Sequence, residues 1–271
     1  MLGTKMGPPS DLKQVRTVAR YELRKHMRSK GVVGMAAIVV AVIALMTLIP
    51  PMLGEDHSDD PVEFVQGYLA WIELIILVGA VAFASGSIVS EFDKRTGLLM
   101  FSQPVKRSTF LAGKFLATGI VLAVMVGLYY LVVSALSLAI TGSVPSLMSI
   151  SFGFALLYGL AMSSVAYLFS SMLKTGTAAT ILTVITFLMI LPMVTGLLSV
   201  AGVDPWPLVS HAADAVTCSL EDPYPVTSVG EMGRMTMTNY VPTQGLAALV
   251  MLAYAVIPVP LTWSFMRRRE L

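Results

Sequence analysis

Few residues in this chain are of kinds that do covalent chemistry, and those few stand at the wrong spacings. Its three histidines, His26, His57 and His211, are far apart. With no H-E-x-x-H and no Cys/His cluster, no metal site is expected. Cys218 is the single cysteine, so it has no intrachain disulfide partner. A phosphate-binding loop requires Gly-x-x-x-x-Gly-Lys-Ser/Thr after a strand. The one Gly-Lys pair, Gly113-Lys114, has Ser108 at the first glycine position and Phe115 after the lysine. Phe83-Ala-Ser-Gly-Ser87 lacks a nearby buried histidine and reads as small residues that let helices approach closely. What remains is polar groups embedded in apolar sequence. Glu73 is one ionisable group, and Thr177, Thr180, Thr183 and Thr186 recur every third residue.

The elements that hold these groups are membrane helices. Hydrophobic residues make up 56% of the 271, and charged ones 13%, about half the usual share for a soluble domain. A disordered chain, a nucleic-acid-binding domain and an ordinary cytosolic enzyme are excluded. Crossing about 30 Å of hydrocarbon takes roughly 20 apolar residues. Six stretches qualify: 32–53, 66–89, 115–140, 147–172, 177–201 and 243–266. They are continuous rather than alternating, which excludes barrel strands. The first is too long for a signal peptide and lacks a cleavage pattern.

Charge orients the spans. Of 18 basic residues, 17 fall before span one, between spans two and three, between spans four and five, or after span six. The alternate loops carry Glu55, Asp56, Asp59, Asp60 and Glu63, then Asp204, Asp214, Glu221, Asp222 and Glu231, with Arg234 as their one cation. By the positive-inside rule both termini are expected in the cytoplasm of a multi-pass protein of the cell membrane.

Residues 1–30 read as a cytoplasmic interfacial helix, and 31–271 as the membrane domain. Ser10 is expected to cap the helix, with Asp11 in its first turn. Leu12, Val15, Val18, Ala19 and Leu23 form its apolar face, and Arg16, Arg20, Arg24 and Arg28 a basic stripe towards lipid headgroups. Glu73, near Tyr68 and Trp71, reads either as a protonated or interface-reaching acid or as a polar contact lining an outer mouth. One such residue argues against an ion-coupled secondary transporter. The threonines of span five are expected to bond their own i−4 carbonyls or neighbouring helices. Pro192, Pro258 and Pro260 predict kinks. The external segment 202–242 exceeds a plain connector. Within it, 209–220 is expected to be a short helix ended by Asp222-Pro-Tyr-Pro.

The cytoplasmic loop 90–114 has internal order. A charged patch, Glu91 to Arg95, precedes Gly97; an apolar run, Leu98 to Phe101, follows; Pro104 forces an extended step. Ser108 is expected to cap a helix continuing into span three. Apolar residues facing water need a surface to bury against.

Glu91, Thr96-Gly97, Leu98-Leu99, Pro104, Arg107 and Gly113-Lys114 together resemble the E…GT…LL…P-x-x-R…GK pattern of ABC-2 type permeases, the membrane subunits of ATP-binding-cassette exporters. The six-span layout resembles the single-domain bacterial and archaeal type. Gln103 departs from the apolar or small residue common before the proline. The resemblance implies an all-α fold: an N-terminal amphipathic elbow helix, six spans, a coupling helix after span two, and short external helices before span six. It implies that Glu91, Asp93, Lys94, Arg95, Thr96, Gly97, Leu98, Leu99 and Phe101 meet an ATPase, with Pro104 and Arg107 setting the return to span three. It further implies that ATP and magnesium are bound by that separate ATPase, that two permease copies pair as a homodimer or heterodimer, and that Glu73, Thr180 and Thr183 are candidates for the pathway wall. No nucleic acid partner is expected. The function so implied is a permease for ATP-driven export. The alternatives are a non-transporting scaffold bound to an ATPase, or a channel or secondary transporter without one.

Overall fold

The computed structural model describes residues 10–54, 56–89, 107–232 and 235–268. Its first helix, α1, covers Asp11–Met27. Six helices are long and apolar enough to cross a membrane: Lys30–Met52, Pro61–Ser85, Ser108–Ile140, Met148–Met172, Gly176–Val200 and Gln244–Arg268, hereafter spans 1 to 6. The chain is an all-α polytopic membrane protein, as the hydropathy pattern predicts.

Span ends differ where local chemistry decides them. Span 2 starts earlier than apolar content predicts, because the Asp60 carboxylate accepts from the Val62 N–H at 2.8 Å and Pro61 occupies the first helical turn. Span 3 belongs to a helix described from Arg107 to Ile140, so Ser108 lies within the helix instead of capping it. That helix has 34 residues, about 51 Å at 1.5 Å each. It is longer than the hydrocarbon core requires, so one end projects beyond it.

At two helix breaks inside the spans a neighbouring span donates a side-chain hydrogen bond to a backbone carbonyl. Span 2 is interrupted after Leu69 and resumes at Ile72. There the Tyr129 hydroxyl donates to the Tyr68 carbonyl at 2.6 Å. Each of spans 2 and 5 contains a π turn, Val81–Ser85 and Thr186–Ile190. The second ends two residues before Pro192, which lacks an N–H to give. Span 6 breaks between Val256 and Pro258, where Ser164 of span 4 donates to the Ala255 carbonyl.

Spans 2, 3, 4 and 6 supply most of the main core, centred on Ile75, Ile76, Tyr129, Tyr158 and Met251. Spans 1 and 5 lie outside them and leave long apolar faces uncovered, such as Leu188, Met189, Met193 and Leu197. A second, smaller cluster of Ala84, Ile88, Phe110, Leu111, Ala166, Tyr167 and Met266 packs at the end of the bundle where the last described turns of span 6 lie. This is called the terminal end below.

At the far end, the predicted helix over 209–220 is two short helices, Val209–Ala213 and Ala215–Cys218, meeting at Asp214. Ser151 of span 4 donates to the Val216 carbonyl at 2.6 Å and ties them to the bundle. The sequence reading did not anticipate the antiparallel hairpin that follows, β1 (Ser228–Met232) and β2 (Met235–Asn239). Alternating Thr and Met over 235–238 fits a short strand.

Candidate functional site: a buried junction at the terminal end

Three segments meet at the terminal end: α1, the end of span 2, and the first turns of span 3. The close approach of α1 is made possible by Gly113. A Cβ there would lie 2.7 Å from both Val18 Cβ and Cγ1, and 3.1 Å from the Val15 carbonyl oxygen.

One residue on, the Lys114 ammonium lies 2.7 Å from Glu22 Oε1, and each side chain is 1% exposed. Lys114 also donates to Ser87 Oγ at 3.2 Å and to the Ser87 carbonyl at 3.4 Å, so all three of its protons have acceptors. Its ammonium stands 4.9 Å from the Phe110 ring centroid, one turn back. Lys25 approaches the second Glu22 oxygen at 3.6 Å. Behind the pair, Tyr167 donates to the Lys114 carbonyl at 3.1 Å and lies 2.7 Å from the Thr118 hydroxyl. A buried ion pair is weak evidence for net stability, because desolvation offsets the Coulomb attraction, but losing one partner is severe.

His26 completes the junction, edge-on to Phe83 with ring centroids 5.1 Å apart. Its Nε2 is buried without a hydrogen-bond partner. Burial pushes its pKa below the usual 6.5; Glu22 opposes that shift, and Lys114 and Lys25 reinforce it. Well above pH 6.5 the ring is neutral whether or not α1 is docked. As pH falls below 6.5, released α1 takes up a proton that docked α1 resists, so docking weakens until the lowered pKa is passed. Hydrogen exchange of α1 amides is therefore expected to accelerate as pH falls through and below 6.5, after correction for intrinsic rates. The His26→Gln variant should lack that acceleration; equal acceleration in both would sink this reading.

The described residues on either side of the 90–106 segment belong to this junction. Where span 2 ends, Ser170 of span 4 accepts from the backbone N–H groups of Ile88 at 3.1 Å and Val89 at 3.2 Å. Where the chain returns, span 3 is described from Arg107 and is gripped by α1 two turns later. Glu91, Asp93, Lys94, Arg95, Thr96, Gly97, Leu98, Leu99, Phe101 and Pro104 lie outside the described residues, as does the Arg107 side chain.

The other expected positions are dispersed. Arg16, Arg20, Arg24 and Arg28 form one exposed stripe, as their spacing predicts. The apolar face needs correction: Leu12 is 82% exposed, while Gln14, Glu22 and His26 are buried beside Ala19. Ser10 sits at the cap position, but its hydroxyl makes no cap bond. The Thr183 hydroxyl bonds the Ala179 carbonyl at 2.7 Å, and Thr180 lies 2.8 Å from Ser85 Oγ beside the π turn of span 2. Glu73 belongs to the far end. It lines a cavity of about 450 Å³ with Gln66, Asp214, Thr217, Cys218 and Glu221. There Gln66 donates to Glu221 at 2.7 Å. Burial, helped by Asp214 and Glu221, pushes the Cys218 thiol up to about 11, so the reactive thiolate is scarce at neutral pH. Neither Thr180 nor Thr183 is among the described residues that line this cavity. Among the described residues no group of His, Cys, Asp and Glu is placed to hold a metal ion.

Glu22, Ser87 and Ser170 were missed as site residues, although one signal was available. Positions 15, 18, 19, 22 and 26 share a helical face, so an acid at 22 sits on the buried side of a basic helix. The Gly113-Lys114 pair held the complementary cation.

The six spans and the strongly asymmetric distribution of charge define a multi-pass membrane protein. The chain matches the model of the ABC-2 family transporter protein over residues 44–263. It belongs to that family and is a permease of the ABC-2 type. The match contains Ser87, Lys114 and Ser170, whereas α1 with Glu22 precedes it. No curated protein matches the chain.

Proposed function

We propose that this permease is the membrane half of an ATP-driven exporter in the cell membrane, working as two permease copies with a separate ATPase that binds ATP and magnesium. The observation that carries this reading is the family match, which runs through the whole 90–106 segment. Its sequence keeps Glu91, Thr96-Gly97, Leu98-Leu99, Pro104 and Arg107 in order. The basic terminal end faces the cytoplasm, in keeping with the charge bias. The uncovered faces of spans 1 and 5 offer apolar area for a second copy.

The mechanism follows from the roots of the loop. A force on 90–106 reaches span 2 along the chain through Val89 and Ile88, whose amides Ser170 ties to span 4. It reaches span 3 through the turns packed on α1. The Lys114–Glu22–Ser87 contacts join both paths, so α1 and these span ends move as one block. Closure of the ATPase would rock this block and exchange inward-open and outward-open arrangements of the spans.

The test is purification of the tagged chain from its own host in mild detergent, beside the Glu91→Arg, Leu99→Asp variant. A Walker-motif ATPase is expected with the native chain, at roughly tenfold lower recovery with the variant, since an unpaired charge at a desolvated interface is costly. If no ATPase accompanies the native chain under conditions that preserve other membrane complexes, the proposal fails and an ATPase-independent channel or carrier becomes the better reading.

A further inference from the structure

We propose that a groove at the terminal end binds one anionic phospholipid, with an acyl chain along the groove and the phosphate against Arg267 and Arg268. The groove lies between α1, span 3 and span 6 and has a volume of about 670 Å³. Its wall is almost wholly apolar and includes Val15, Leu111, Phe115, Val259, Pro260 and Trp263. Surfaces of this kind beside a bilayer are filled by hydrocarbon.

What separates this groove from ordinary lipid-facing surface is its end. A second cavity of about 370 Å³ adjoins it, sharing Trp263 and lined otherwise by Ser264, Arg267 and Arg268. The Arg267 guanidinium carbon lies 4.7 Å from the Trp263 ring centroid. Trp263 is 37% exposed, and tryptophan is the residue type that settles at headgroup level. In sequence along span 6, the protein thus presents an apolar slot, an interfacial aromatic and two cations. That is the outline of an amphiphile with a negative head.

Charge selects among lipids. Arginine forks match phosphate oxygens in geometry. Arg16 and Arg20, exposed on the helix that supplies Val15, add positive potential nearby. No acidic residue lines either cavity among the described residues. A zwitterionic head would bring its own cation into this field. The reading rests on the groove and its charges, not on the direction or the cargo of transport.

The chain has three tryptophans, and Trp71 and Trp206 both belong to the far end. The full-length Trp71→Phe, Trp206→Phe protein therefore carries Trp263 as a single reporter inside the groove. It is placed in phosphatidylcholine vesicles doped with a small fraction of acyl-brominated phosphatidylglycerol or, separately, acyl-brominated phosphatidylcholine. Saturable quenching of Trp263 is expected, with the anionic lipid favoured by roughly fivefold for each arginine engaged. Salt should shrink that preference. Adding Arg267→Gln and Arg268→Gln should equalise the two lipids while leaving quenching by both, which also shows that the variant is folded and inserted. Equal quenching in the parent would mean ordinary surrounding lipid and overturn the proposal. Quenching by neither lipid would also overturn it, because a second copy or another segment of the chain would then fill the groove.

Discussion

Replacing Lys114 by methionine is expected to destabilise the junction by about 3–5 kcal/mol, because it leaves Glu22 buried without its main partner. The lysine has 1% of its side chain exposed, as does Glu22, so water cannot take over the lost contacts. Lys25, at 3.6 Å from the other carboxylate oxygen and half in solvent, compensates only in part. Glu22→Leu should also be harmful, since it removes the carboxylate that meets the buried ammonium at 2.7 Å. The double variant Glu22→Leu, Lys114→Met removes both charges and leaves apolar groups beside Phe110. It should be more stable than either single variant. Thermal midpoints of the four proteins in one detergent, with protease cleavage of α1 as a local readout, complete the cycle. A double variant as unstable as the sum of the singles would show that the two charges do not act as a pair.

The second large effect concerns two glycines and runs against simple distance. A Cβ at Gly79 would overlap Leu122 Cδ2 and come within 3.1 Å of Met35 Sδ and Cε. Those atoms are the ends of flexible side chains, which can turn away. A Cβ at Gly113 meets Val18 Cβ and Cγ1 at 2.7 Å and the Val15 carbonyl at 3.1 Å. A β-branched side chain and a helix backbone have no comparable escape. Gly113→Ala should therefore cost about 1–3 kcal/mol and shift α1, while Gly79→Ala costs less. Adding Val18→Ala should recover part of the Gly113→Ala loss and nothing of the Gly79→Ala loss. The comparison is read from thermal midpoints and α1 protease protection. If Gly79→Ala is the worse of the two, the packing of α1 on span 3 does not have the rigidity argued here.

The spans were legible because continuous apolar runs and one-sided charge are imposed by the bilayer on the whole chain, independently of how the helices pack. Packing decided what was not legible. The apolar face assigned to α1 included Leu12, yet Leu12 has nothing to cover it, while Glu22 and His26 do. Amphipathic spacing identifies a face; it does not reveal that the opposing surface carries a lysine. The prolines pointed correctly to spans 5 and 6 as irregular helices, but the π turn of span 2 contains no proline and gives no comparable signal. The hairpin over 228–239 falls between turn residues and is too short for its periodicity to stand out. The family resemblance of the 90–114 segment was legible because it is written in local residue types, whereas the buried junction joins residues 22, 87 and 114 through tertiary packing alone.

The two hydrophobic clusters share no residue, and their boundary runs through the π turn of span 2: Phe83 belongs to the main core and Ala84 to the small one. Substitutions in separate clusters tend to add instead of interfering. Under the proposed function this gives the permease two semi-independent evolutionary modules on one set of helices. The terminal module can diversify alongside whichever ATPase it meets, and the far module alongside its cargo, without each change on one side requiring repair on the other.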